Sequence, residues 1–362
     1  MRKIFFLVVL LFCIGKIGLA QEGVNFEHLT FREALDKAKA ENKLVFMDCY
    51  TSWCGPCRHM TEHIFPQKKV GDYLNARFVC VKYDMEKGEG QELSKRFEVR
   101  AYPTFLVLDA DGKLIHKFIG GRDVDGIIRS VEESFDPSKA FGSMKKDYQA
   151  GVRDKDFLLR YLKCLISFYD PMANVVADEF MNQLNDREKT SEAYWFLFTN
   201  QKLSPAGSAI EKYLLKNYKD FCKSLGEEQV AKEVEKRYSE RFMRIFKKEE
   251  TVTKAQLNAF EREIKSLKLP NNSDFRSYAK IAQAEMKTLT ALISVCESEF
   301  LKIKTFEVPY LQFYDRVMKE GTTENQERWI ALGKKLYDQM EDGDAKKIIK
   351  FCLDYYQNNK QN

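Results

Sequence analysis

The sequence predicts a mixed α/β domain followed by an all-α region of helical hairpins. Three observations carry this expectation. Between Gln21 and Pro137 strand-like and helix-like patterns alternate, and the last two strands are joined by Asp111-Gly112, a strong hairpin signal. Beyond Pro137 strand signals vanish and long amphipathic runs take over. The run Trp53-Cys54-Gly55-Pro56-Cys57 falls where an apolar, β-prone segment hands over to a helix.

The elements follow in order. Met1-Arg2-Lys3 is basic, Ile4 to Ile14 is apolar, and Gly18-Leu19-Ala20 offers a small-residue cleavage site. Residues 1–20 therefore read as a secretory signal peptide cleaved after Ala20. The run is short of the roughly 20 apolar residues that a membrane span needs, and Phe12 before Cys13 is too large for a lipid-attachment site. A domain over residues 21–138 comes next. Thr30-Phe31-Arg32-Glu33 is a capping box opening a helix that ends near Asn42. A buried strand over 44–50 follows, then helices over 55–63 and 67–75 with Pro66 between them, and a strand over 77–83. Met85–Gly90 is a polar loop, followed by a helix to about Phe97. Strands over 104–109 and 113–119 form the hairpin, and a helix from Asp123 to about Ser134 closes the domain.

Asp136-Pro137 marks the boundary to a second domain, residues 139–362. Helical runs are expected at Asp156–Tyr169, Ala173–Leu184, Glu192–Asn200, Gly207–Tyr218, Gln229–Lys247, Lys254–Leu267, Phe275–Lys302, Pro309–Lys319, Thr323–Met340 and Asp344–Asn358. Asp156, Ser191, Ser208, Thr253 and Thr323 are expected N-caps. Recurring Tyr, Leu, Ala and Phe hint at a tetratricopeptide-like solenoid. No clean period of about 34 residues supports it, so an irregular helical bundle or solenoid is expected. The aromatics Tyr194-Trp195-Phe196, Phe198, Tyr355 and Tyr356 read as core.

Two thiols separated by two residues can close into a disulfide ring or open and pass on two electrons. Cys54, at the expected helix start, gains from the positive end of the helix, which stabilises a thiolate. A CxxC pair can also be half of a zinc site, but no second pair follows. His59-Met60-Thr61-Glu62-His63 spells HxxEH, a zinc-protease pattern. Its helix is already committed to the cysteine turn and no third ligand is apparent, so both histidines read as outward-facing. Zinc on Cys54, Cys57 and His59 stays open. Cys49 and Cys80 fall in expected core strands and read as buried thiols, with a bridge between them as the alternative.

Residues from about 26 to 135 resemble the thioredoxin superfamily, and most of all its periplasmic branch, such as the C-terminal thioredoxin-like domain of the electron transporter DsbD. The resemblance rests on WCGPC, on Asp48 six residues before Cys54, and on Lys82 in Val81-Lys82-Tyr83-Asp84. It rests further on Tyr102-Pro103-Thr104, Gly120, Phe65, Pro66 and Val70. It implies a thioredoxin fold, a mixed sheet flanked by helices. Cys54 would then be the nucleophile and Cys57 the resolving thiol, cycling through a Cys54–Cys57 disulfide. Asp48 would be a buried proton acceptor tuned by Lys82. Pro103 would be cis and face the sulfurs, leaving the Tyr102 backbone to pair with a substrate peptide. Trp53 and Gly120 would line the substrate groove, while Gly55 and Pro56 would set a reducing poise.

The function expected is an exported thiol–disulfide oxidoreductase, periplasmic or otherwise secreted. It would reduce protein disulfides with electrons from a membrane carrier of the DsbD type. No cofactor or metal is expected. Net charge is +5, or +2 without Arg2, Lys3 and Lys16, and charges of both signs are interleaved. That argues against nucleic acid or an anionic membrane as a partner, and no stable membrane insertion is expected after cleavage of the signal peptide. The alternative is a binding or assembly protein whose helical domain recognises a partner while the dithiol regulates docking.

Overall fold

The computed structural model describes residues 23–305 and 307–360. The expected signal peptide, residues 1–20, lies outside them. The described chain divides into two compact units between Gln183 and Leu184.

The first unit is built on a four-stranded sheet in the order β2-β1-β3-β4. Its strands are β1 (Leu44–Tyr50), β2 (Phe78–Asp84), β3 (Thr104–Leu108) and β4 (Leu114–Ile119). β1 pairs parallel with β2 and antiparallel with β3, and β3 pairs antiparallel with β4. Alternating side chains along each strand feed two separate cores. Val45, Met47, Val81 and Leu106 pack under α1 (Phe31–Glu41), with Phe31, Ala34 and Ala38 turned inward. Phe46, Phe78, Phe105 and Val107 pack on the other face with Met60, Leu74 and Ile127. Thr30 caps α1 in a full capping box with Glu33, a device contributing about 1 kcal/mol.

α2 (Gly55–His59) opens at the cysteine pair and continues into a π-helical turn, Met60–Ile64. α3 (Lys68–Arg77), α4 (Gly90–Arg96) and α5 (Val124–Glu132) complete the layers. Residues 31–132 thus form a thioredoxin fold, followed by a largely helical region.

The change to all-helical texture comes near Pro137, but the packing boundary lies later. α6 (Phe141–Gln149), not foreseen in the sequence, packs against β4. Its Phe141 N–H donates to Nδ1 of the buried His116 at 3.2 Å. A Cβ on Gly142 would lie 2.2 Å from the Leu114 carbonyl oxygen, so only glycine permits this approach. α7 (Lys155–Ser167) and α8 (Met172–Gln183) pair behind it, with Phe141 edge-on to Phe168 at 4.7 Å. The cap of α7 is Asp154, not Asp156.

The second unit is all helix among its described residues. The run expected as one helix over 275–302 is broken in two, Asn272–Glu285 and Leu289–Glu299, with Thr288 capping the second. Glu192–Asn200 is a 3-10 turn, Glu192–Tyr194, followed by the short helix Phe196–Thr199. The run expected over Gly207–Tyr218 ends at Lys216, and a separate helix, Tyr218–Leu225, follows it. Ser208 and Thr253 cap as expected, whereas Ser191 makes no side-chain cap bond and Thr322 takes the role expected of Thr323. Trp195 and Phe198 are core, but Tyr355 is exposed. Among the described residues no helix is long and apolar enough to cross a membrane.

Candidate active site

The cysteine pair lies at the carboxyl end of β1, where the chain turns into α2. Cys54 is the N-cap of α2: its Sγ accepts a hydrogen bond from the Cys57 backbone N–H at 3.1 Å. Cys54 and Cys57 are disulfide-bonded, with Cα atoms 5.3 Å apart. Both are buried, at 4% and 3% exposure. The bond holds the Cys54 sulfur against that of Cys57.

Asp48 stands two rungs inside β1, opposite Lys82 of β2 and Phe105 of β3. It is 1% exposed, and its Oδ1 has no hydrogen-bond partner. Burial raises its carboxyl from the ordinary 3.8 to about 7, and the Lys82 ammonium draws it partly back. Lys82 is half-buried, its Nζ 5.5 Å from the centre of the Phe26 ring. A cleft of about 190 Å3 joins this lysine to the sulfurs. Tyr50, Thr51, Cys54, Cys57, Thr61 and Lys82 are among its walls.

The Tyr102–Pro103 peptide bond is cis. The Gly120 N–H donates to the Pro103 carbonyl at 2.8 Å, and Gly120 has φ +91°, a conformation that favours glycine. Trp53 is 65% exposed and meets Tyr102 edge-on at 6.0 Å. Gly55 has open space where a Cβ would stand, so packing does not demand glycine there. Pro56 occupies the first turn of α2, where its missing N–H costs no hydrogen bond. The structure thus brings Lys82, Cys54 and Cys57 to one cleft, with Asp48 opposite Lys82 in the β1–β2 register. Trp53, Tyr102, Pro103 and Gly120 lie on adjoining loops.

Several residues escaped the sequence reading. Glu86 accepts the Trp53 indole N–H at 3.0 and 3.1 Å on its two oxygens. Arg122 donates to the carbonyls of Gly120 and Gly121, both at 3.1 Å. Thr51, three residues before Cys54, is buried with an unpartnered hydroxyl. None of these carries a motif; each is recognised only by what it touches. His59 and His63 face solvent. Cys49 and Cys80 are both free and buried, and they feed opposite faces of the sheet, which is why they do not bridge.

Residues 31–132 match the family model described as a thioredoxin-like domain. The chain is 45% identical over 82 residues to mitochondrial thioredoxin-3 of Saccharomyces cerevisiae, covering 23% of this chain and 58% of that protein. It is 24% identical over 225 residues to a protein disulfide-isomerase of Datisca glomerata, covering 58% of this chain and 43% of that protein. The chain thus spans less than half the length of that relative. A solution structure of a candidate disulphide-isomerase from Bacteroides thetaiotaomicron is 42% identical, covering 32% of this chain and 95% of that one, with a TM-score of 0.30.

Proposed function

Starting from a thioredoxin-like domain over residues 31–132, we propose that the chain is an exported thiol–disulfide oxidoreductase that reduces protein disulfides. The observation that carries this reading is the bonded Cys54–Cys57 pair at a helix N-terminus, with a buried carboxyl held near neutrality in the strand that leads into it. The names of the relatives, a thioredoxin and a protein disulfide-isomerase, support the same chemistry.

In the reduced protein, the Cys54 thiolate attacks one sulfur of a client disulfide. A Cys54–client bond forms, and the other client sulfur leaves with the electron pair. Cys57 then gives up its proton to Asp48 and attacks the Cys54 sulfur. The Cys54–Cys57 bond forms, the client bond breaks, and the second client sulfur leaves as a thiolate. The client has gained two electrons and the protein has lost them. Lys82 holds down the charge cost of ionised Asp48. Trp53, Tyr102, Pro103 and Gly120 form the groove for the client, while Gly55 and Pro56 set the poise. A membrane thiol carrier of the DsbD type would return the dithiol to its reduced form.

In cells carrying the full chain, Cys57→Ser is expected to accumulate reductant-sensitive mixed disulfides on Cys54, and Cys54→Ser none. The purified chain should reduce insulin with a donor present. If Cys57→Ser traps nothing and insulin stays oxidised, the exchange reading fails. A measured potential near about −120 mV would overturn the reductant direction alone. One feature favours the second reading, partner recognition by the helical unit: Ile348, Phe351 and Tyr355 stand exposed at helical spacing on the last helix, Asp344–Lys360.

A further inference from the structure

We propose that the Thr51 hydroxyl is a positioning group for the proton that leaves Cys57, acting through water held in the cleft between the sulfurs and Lys82. This rests on the dithiol-exchange reading above and adds to it a residue that no motif marks.

Thr51 ends the segment that β1 delivers to the cysteine turn. Its backbone carbonyl accepts the Cys54 N–H at 3.2 Å, so its place relative to the sulfurs is fixed by the turn itself. The residue is 2% exposed, yet its Oγ1 has no partner in the protein. Asp48 Oδ1, three residues earlier in β1, is likewise buried and unpartnered. Buried polar atoms are seldom left unsatisfied, and two on the short segment that leads into the reactive pair ask for an explanation. The cleft supplies it for Thr51, and it reaches Lys82, the register partner of Asp48. Thr51, Cys57 and Lys82 share its walls, and about 190 Å3 is ample for several waters at roughly 30 Å3 each.

A hydroxyl donates one hydrogen bond and accepts others, so it can orient a water toward a thiol and a carboxylate at once. The proton moves from Cys57 Sγ to that water, and a proton moves from the water to the Asp48 carboxylate. Cys57 gains one negative charge, Asp48 loses one, and Thr51 and the water end unchanged. The charged and titratable groups around this path are Lys82 from β2, Cys57 and Arg58 from α2, and Cys49 and Tyr50 from β1. β3 presents only the apolar Phe105 opposite Asp48.

The test uses the full chain, reduced and mixed with oxidised glutathione, with the Cys54–glutathione mixed disulfide and the oxidised chain resolved by mass after acid quench. Thiol release is followed in single turnover from roughly pH 5.5 to 9, spanning the region where a group poised near neutrality works. Thr51→Val keeps the shape and removes the hydroxyl, while Thr51→Ser keeps the hydroxyl. Thr51→Val is expected to slow release of the second thiol by at least about tenfold and to displace the pH midpoint. Thr51→Ser should stay within about twofold of the parent. In an Asp48→Asn background, the Thr51→Val effect should disappear. The inference is overturned by a Thr51→Val chain that follows the parent in rate and pH profile. It is equally overturned if Thr51→Ser is as slow as Thr51→Val, which would mean packing, or if the valine effect persists in full without the Asp48 carboxyl. A parent chain that releases no thiol at any pH would sink the exchange reading itself, and this inference with it.

Discussion

Asp48 sits where an ionised carboxyl is costly: in the middle strand pair, with Phe105 on one side and a single ammonium on the other. An aspartate held near 7 in the fold but near 3.8 in the unfolded chain is neutral in both states at low pH. As pH rises from about 4 to about 7, only the unfolded chain ionises, so stability falls across that window and then levels off. The separation is worth about 4 kcal/mol at most. Asp48→Asn is therefore expected to raise stability by up to about this amount at pH 8 and by little at pH 4, while slowing thiol release. Urea unfolding at the two pH values checks it, and an equal effect at both would refute the ionisation account. Asp48 and the cysteines were legible in the sequence because their spacing is part of a recognisable pattern. Thr51 was not, because the lack of a partner for its hydroxyl is a property of packing around it.

At the scale of elements, the four strands were read within a residue or so, since apolar runs bounded by turns leave little choice. α6 was missed: it is short, begins at Ala140 without a side-chain cap, and owes its place to contact with β4. Gly142 is the hinge of that contact. Gly142→Ala would put a Cβ 2.2 Å from one strand carbonyl and 2.8 Å from the next, both backbone atoms that cannot swing aside. The expected cost is about 1–3 kcal/mol, read as a lower midpoint in urea. A neutral substitution would show that α6 does not need its close seat. The break between Glu285 and Leu289 was equally hidden. No Pro or Gly marks it, and Thr288 caps the new helix from within an otherwise continuous pattern.

At the scale of the whole molecule, the change in sequence texture and the division into compact units are different things. Composition shifts near Pro137, where strands end. The sheet nevertheless depends on the helices C-terminal to it, through the bond from Phe141 to His116 and the Lys117 ammonium 5.4 Å from the Phe168 ring. A chain ending at Gln183 is expected to unfold cooperatively and to exchange disulfides as the full chain does. One ending at residue 139 should melt at least about 5 °C lower. Calorimetry of the two truncations decides this, and equal melting temperatures would show that the helices beyond the sheet contribute nothing to it.

Both outer strands of the sheet meet their own chain. β2 is joined at Cys80 by Phe26 and Glu27, and β4 is met by Phe141 and Gly142. An open border is a template on which a foreign strand can lay itself down, and on which fibrous growth can start. A protein that handles other chains while they are extended would be exposed to that hazard at every encounter. On the proposed function, a client held extended at the loop of Tyr102 would find both borders already met from within, at Cys80 and at His116, and would be released the more readily.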